Sequence, residues 1–116
     1  MTKDYRAITQ DISEYTREIS KLAPDAMKNF YGLSRAASAD GALSKKTKEL
    51  IAVAIGITQR CDGCIGFHVK ALKELGVTRE EFAETLAMCV YMGGGPALMY
   101  AADAMRAFDQ FESAAK

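Results

Sequence analysis

Apolar residues recur along this chain at three- and four-residue intervals almost from end to end, the spacing that lays them along one face of an α-helix. No alternating β-branched run of useful length interrupts the pattern, so the sequence predicts an all-α fold, a bundle of about six helices. The first covers about Tyr5 to Leu22, a polar amphipathic segment with Ile8, Ile12, Tyr15 and Ile19 on one stripe, as expected of a partly exposed packing helix. Pro24 suits the first turn of a second helix to about Ala37, and Ser38-Ala39-Asp40-Gly41 reads as a turn. Ser44 caps a third helix, Lys45 to about Gln59, the most apolar of the set. A fourth runs from the Cys61 region to Leu75 and stops at Gly76. Thr78 and Glu81 form a capping box for a fifth helix that ends near Met92, where Gly93-Gly94-Gly95 breaks it. Pro96 opens a sixth helix, Ala97 to about Phe111, and residues 112–116 are expected to fray.

With 116 residues and no visible linker, repeat or low-complexity segment, the chain is expected to be one domain, its core within about residues 25–110. Fifteen basic residues balance fifteen acidic ones, which leaves no global field to attract nucleic acid or an anionic membrane. The longest apolar run, Leu50 to Ile57, is far below the roughly 20 residues that span a bilayer, and the N-terminus has no apolar signal core. A cytoplasmic protein is expected. Three cysteines are too few and too unevenly placed for a disulfide scaffold, and in a reducing compartment a Cys-x-x-Cys pair is more often redox-active or metal-binding than structural.

That pair lies in Cys61-Asp62-Gly63-Cys64-Ile65-Gly66-Phe67-His68, which also holds the one histidine of the chain. On a helix the three side chains fall at i, i+3 and i+7, close to one line along a single face. A helix N-terminus favours a thiolate through its unpaired N–H groups and partial positive charge, and on that ground Cys61 is the more acidic thiol. His68 sits one turn beyond Cys64, where an imidazole can exchange a proton with that sulfur. Glu49, carried by the apolar third helix, needs a partner, and it can orient the imidazole if the third helix packs on the fourth. Nucleophile, base and orienting acid are then together, and a second thiol one turn away can trap a sulfenic acid as a disulfide. The same residue types can hold zinc, since thiolate, imidazole and carboxylate are all ligands; and a lone histidine or buried glutamate can be merely structural.

The pattern Glu-x11-Cys-x-x-Cys-x3-His, here Glu49, Cys61, Cys64 and His68, resembles the active-site signature of the alkyl hydroperoxidase D-like members of the carboxymuconolactone decarboxylase superfamily. The resemblance extends over about residues 25–110. It implies a thiol-dependent peroxidase or disulfide oxidoreductase without a cofactor, in which Cys64 meets the hydroperoxide and becomes sulfenic acid. Cys61 would be the resolving partner and proton donor, Glu49 and His68 the proton relay, and a thiol or dithiol the reductant. Two departures stand out. Members of that group carry a histidine immediately before the second cysteine, where this chain has Gly63, so one relay member is missing and peroxidase activity is expected to be weak. They also hold two copies of the helical unit per chain. A single copy implies pairing between subunits, and by the resemblance a homohexamer, with a trimer as the next choice. The decarboxylase branch generally lacks the cysteine pair, which makes a cysteine-independent lyase the lesser alternative.

The other conspicuous residues call for no chemistry. Cys89, in Ala87-Met88-Cys89-Val90, is expected to be a buried, inert thiol. Gly93-Gly94-Gly95-Pro96 follows a helix and lacks the Lys-Ser/Thr of a phosphate loop. Met88, Met92, Met99 and Met105 with Tyr91, Tyr100 and Phe108 are expected to be core or subunit-interface material, and the sixth helix (Met99, Tyr100, Met105, Phe108, Phe111) and the first helix are the candidates for a subunit interface.

Overall fold

The computed structural model describes residues 2–112, with the side chain of Glu112 left aside, and is all-helical. Five helices follow in order: α1 (Tyr5–Leu22), α2 (Pro24–Ser38), α3 (Lys45–Thr58), α4 (Asp62–Glu74) and α5 (Arg79–Glu112). The stretch expected to fray lies outside the described residues, apart from Glu112 at the end of α5. No described helix is long and apolar enough to cross a membrane.

Local chemistry explains most of the boundaries. Asp4 caps α1, its carboxylate accepting the N–H groups of Arg6 and Ala7 at 3.0 and 3.3 Å, and Pro24 opens α2 one residue after α1 has ended. The Ser44 hydroxyl accepts the Thr47 N–H at 3.1 Å to start α3. Gly76 takes a left-handed φ of 79° past the end of α4, and the Val77 N–H returns to the Leu72 carbonyl at 3.1 Å. The capping box at α5 is complete: Glu81 N–H donates to the Thr78 hydroxyl at 3.0 Å, and Thr78 N–H to the Glu81 carboxylate at 2.9 Å.

The break expected at Gly93–Gly95 narrows to one residue, Gly94, with φ 71° and ψ −155° inside α5. Its effect is large. Phe82 and Phe108 would lie roughly 39 Å apart along a straight helix, yet their rings stack with centroids 4.9 Å apart. Arg79 likewise pairs with Asp109 at 3.0 Å. The two limbs of α5 therefore fold back on each other, and the return limb is the expected sixth helix. Gly93 permits the reversal, because a Cβ there would stand 2.6 Å from the Ala97 Cβ.

The core lies where α3, α4 and both limbs of α5 meet: Val53 and Ile57, then Ile65, Val69 and Leu72, then Phe82, Ala104, Ala107 and Phe108. Tyr5 closes it from α1 and is fully buried. The far half of the α1 stripe, Tyr15 and Ile19, stays exposed, and α2 buries none of its residues. Of the two surroundings expected for Phe108, core or subunit interface, the structure shows the core, and Phe111, a candidate for the interface, is buried in the core of its own chain as well, because the reversal at Gly94 turns that face of the return limb inward. Met99 remains exposed, as do Met88, Tyr91 and Met92 around the reversal and Phe30 and Leu33 on α2.

Candidate active site

Glu49 stands on the second turn of α3 and is buried, 8% exposed. α3 packs along α4, and this crossing brings the carboxylate to His68: Glu49 Oε2 lies 2.6 Å from His68 Nδ1. A buried carboxylate must be paired to tolerate loss of water, and here the imidazole does it. With Nδ1–H donating to Glu49, Nε2 is the basic nitrogen of the ring. The His68 side chain is 35% exposed, so the ring stands at the rim of the bundle.

Cys61 is the N-cap of α4 and Cys64 lies in its first turn; the two are paired as a disulfide, with Cα atoms 5.2 Å apart. The Cys64 N–H donates to the Cys61 sulfur at 3.1 Å, so the cap that serine or aspartate supplies elsewhere is a sulfur here. The approach to this cap is bent. Arg60 holds a left-handed φ of 60°, unusual for a residue with a side chain, and the turn lets the Cys61 N–H reach the Gly56 carbonyl at 2.9 Å. His68 follows Cys64 by one helical turn, the spacing of facing neighbours. In this disulfide-paired arrangement no three His, Cys, Asp or Glu residues among those described are grouped to hold a metal ion.

Several supporting residues are not apparent from the sequence pattern. Gly56 lies in the apolar run of α3, where a Cβ would stand 2.8 Å from the Cys64 Cβ, so its missing side chain lets the second cysteine sit against the α3 backbone. A Cβ on Gly63 would meet Ile12 Cδ1 of α1 at 2.8 Å, so a larger residue before Cys64 requires Ile12 to move. Asp62, between the cysteines, takes 2.9 Å and 3.2 Å contacts from Lys3 Nζ and the Tyr5 hydroxyl, and Lys3 also reaches Asp103 at 2.8 Å. Its bond to Asp103 holds the Lys3 ammonium protonated well above the usual lysine range, and burial pushes the Tyr5 phenol up. Cys89 is buried, its sulfur 3.9 Å from the Ala54 carbonyl, and desolvation pushes its thiol up, which disfavours the thiolate.

Residues 24–107 match the sequence profile of the carboxymuconolactone decarboxylase family. The chain belongs to this family. A protein of Cupriavidus necator, described as uncharacterised, is 40% identical over 109 residues, covering 94% of this chain and 96% of its own. Protein 4 of the cox locus of Paracoccus denitrificans, likewise described as uncharacterised, is 36% identical over 84% of this chain and 87% of its own. Among solved structures, a carboxymuconolactone decarboxylase family protein of Legionella pneumophila in its apo form superposes with a TM-score of 0.91 at 53% identity, covering 92% of this chain and 96% of that one. A Thermotoga maritima member, described as a possible participant in an antioxidative response, superposes at 0.77 with 25% identity, over 96% of this chain and 92% of its own. The family includes enzymes, and its superfamily takes in the alkyl hydroperoxidase D-like proteins that the cysteine signature resembles.

Proposed function

We propose that this chain is a thiol-dependent disulfide oxidoreductase that reduces hydroperoxides through Cys61 and Cys64. The observation that carries the reading is the disulfide at the start of α4, one turn along the helix from a histidine whose Nδ1 is held by a buried glutamate. In the reduced enzyme His68 Nε2 takes the proton of Cys64, and the thiolate attacks the terminal oxygen of the hydroperoxide. The O–O bond breaks, the alcohol leaves with the returned proton, and Cys64 holds the oxygen as sulfenic acid. The Cys61 sulfur then attacks Cys64 and expels the oxygen as water, forming the disulfide. Cys61 is suited to that part because, as N-cap, it accepts a backbone N–H that stabilises its thiolate. A thiol or dithiol reductant restores both sulfurs by exchange, giving up two electrons and becoming a disulfide itself.

Glu49 keeps His68 in the tautomer and orientation this transfer needs. The chain works in the cytoplasm as a homohexamer, three isologous dimers that cover the apolar faces of α2 and of the α5 reversal. The test is hydroperoxide consumption under a dithiol reductant: the parent turns over, and Cys64→Ser does not. Equal turnover in Cys64→Ser removes Cys64 from the reaction.

A further inference from the structure

The charged cluster around Asp62 is a polar assembly beside the cysteines that the chemistry above leaves unused. Lys3 Nζ bridges Asp62 Oδ1 at 2.9 Å and Asp103 Oδ2 at 2.8 Å, and Arg106 donates to Asp103 Oδ1 at 2.7 Å. Two cations thus balance two carboxylates. The backbone that carries Lys3 is held separately: the Tyr5 N–H donates to Gln110 Oε1, and Gln110 Nε2 donates to the Lys3 carbonyl, both at 2.8 Å. The Lys3 ammonium lies 4.9 Å from the centre of the Tyr100 ring, and the Tyr5 hydroxyl completes the shell of Asp62.

We propose that Lys3 is a positioning residue for the redox pair, acting through Asp62 to raise the reduction potential of the Cys61–Cys64 couple. This rests on the redox reading above. The disulfide carries no charge, but on reduction the capping sulfur gains one, and the carboxylate of Asp62 is its immediate chain neighbour. Unopposed, that carboxylate repels the thiolate and favours the disulfide. Lys3 neutralises it and holds it in the Asp103 and Tyr5 network, so the reduced form is stabilised and the pair becomes more oxidising. The other ionisable groups of the site, Glu49 on α3, His68 on α4 and Arg60 just before Cys61, are common to all the variants below.

The experiment equilibrates the full chain with glutathione buffers: two glutathione thiols reduce the protein disulfide to one thiol and the capping thiolate, release one proton to the buffer, and become glutathione disulfide. The reduced fraction is read by alkylation and mass. Lys3→Met is expected to shift the equilibrium about fivefold toward the protein disulfide, about 20 mV for a two-electron couple. Asp62→Asn should shift it the opposite way, Lys3→Met/Asp62→Asn should return close to the parent, and Lys3→Arg should behave as the parent. Opposite signs and their cancellation separate charge from mere loosening, which would move both single variants in one direction. A parent-like potential in Lys3→Met, or shifts of one sign in Lys3→Met and Asp62→Asn, overturns the assignment. A parent that equilibrates with glutathione yet ignores hydroperoxide overturns the peroxidase reading instead, and a parent whose disulfide never exchanges overturns both.

Discussion

Glu49 and His68, nineteen positions apart, meet at 2.6 Å across the α3–α4 crossing, and the carboxylate takes the Nδ1 side of the ring. Glu49→Gln preserves shape and can still accept the ring proton, but it removes the charge that stabilises the imidazolium during transfer. Oxidation of the reduced protein by hydroperoxide is expected to slow by at least about tenfold. Stability should change by less than about 1 kcal/mol, since a buried charge is removed with its pairing. Stopped-flow rates across pH, beside thermal melts, check both; an unchanged pH–rate profile takes Glu49 out of the relay.

Gly56→Ala should damage the site from the opposite side of Cys64. The added methyl would stand 2.8 Å from the Cys64 Cβ, and a Cβ cannot swing aside as a flexible side-chain end can. We expect a loss of about 1–3 kcal/mol from overpacking between α3 and α4. Denaturant unfolding measures it, with Gly95→Ala as the control, because nothing stands within 4 Å of a Cβ there.

Acid should loosen the joint between the starts of α3 and α5. Lys46 Nζ lies 2.7 Å from Glu81 Oε2, and this bond, with the Thr78 N–H, holds the Glu81 carboxyl below its usual range. A carboxyl depressed in the folded state contributes stability that is present above its unfolded value and is lost as pH falls through its folded one. The contribution should therefore be complete at neutral pH and fade below about pH 4.5. Comparing melts of the parent and Glu81→Gln from pH 7 to 3 tests this. The gap between them should close on acidification, and a constant gap contradicts it.

Cys89 should be silent in the chemistry. Its thiol is buried and pushed up by desolvation. In the reduced native protein, two thiols are expected to react rapidly with a disulfide reagent and the third only slowly or on unfolding. Cys89→Ala should oxidise with hydroperoxide at the parent rate, with a stability cost of about 1 kcal/mol for the vacated volume.

Local signals carried much of this structure. Ser44, Gly76 and the Thr78–Glu81 box act through bonds that span only a few residues, so their helix ends can be read from sequence. The residues of Glu49, Cys61, Cys64 and His68 were visible as a spaced motif, and the α3–α4 crossing brings the first and last of them together. Lys3 and Asp62 are separated by fifty-nine positions, and Lys3 and Asp103 by one hundred, so no local pattern announces their meeting. The sequence leaves Phe108 open between core and interface for a related reason: its direction depends on how sharply Gly94 turns α5, and a run of glycines marks a break without fixing its angle. Gly56 looks like a weakness in a helix until the neighbour it makes room for is known.

Whether Cys61 and Cys64 form one two-electron centre that hydroperoxide oxidises is tested most directly by a thiol count. Free thiols are counted in the reduced protein before and after one equivalent of hydroperoxide, with peptide mass mapping of the product. A fall from three thiols to one is expected, with a Cys61–Cys64 disulfide as the product and recovery of both thiols with dithiothreitol. Three thiols remaining, or a disulfide that includes Cys89, contradicts it.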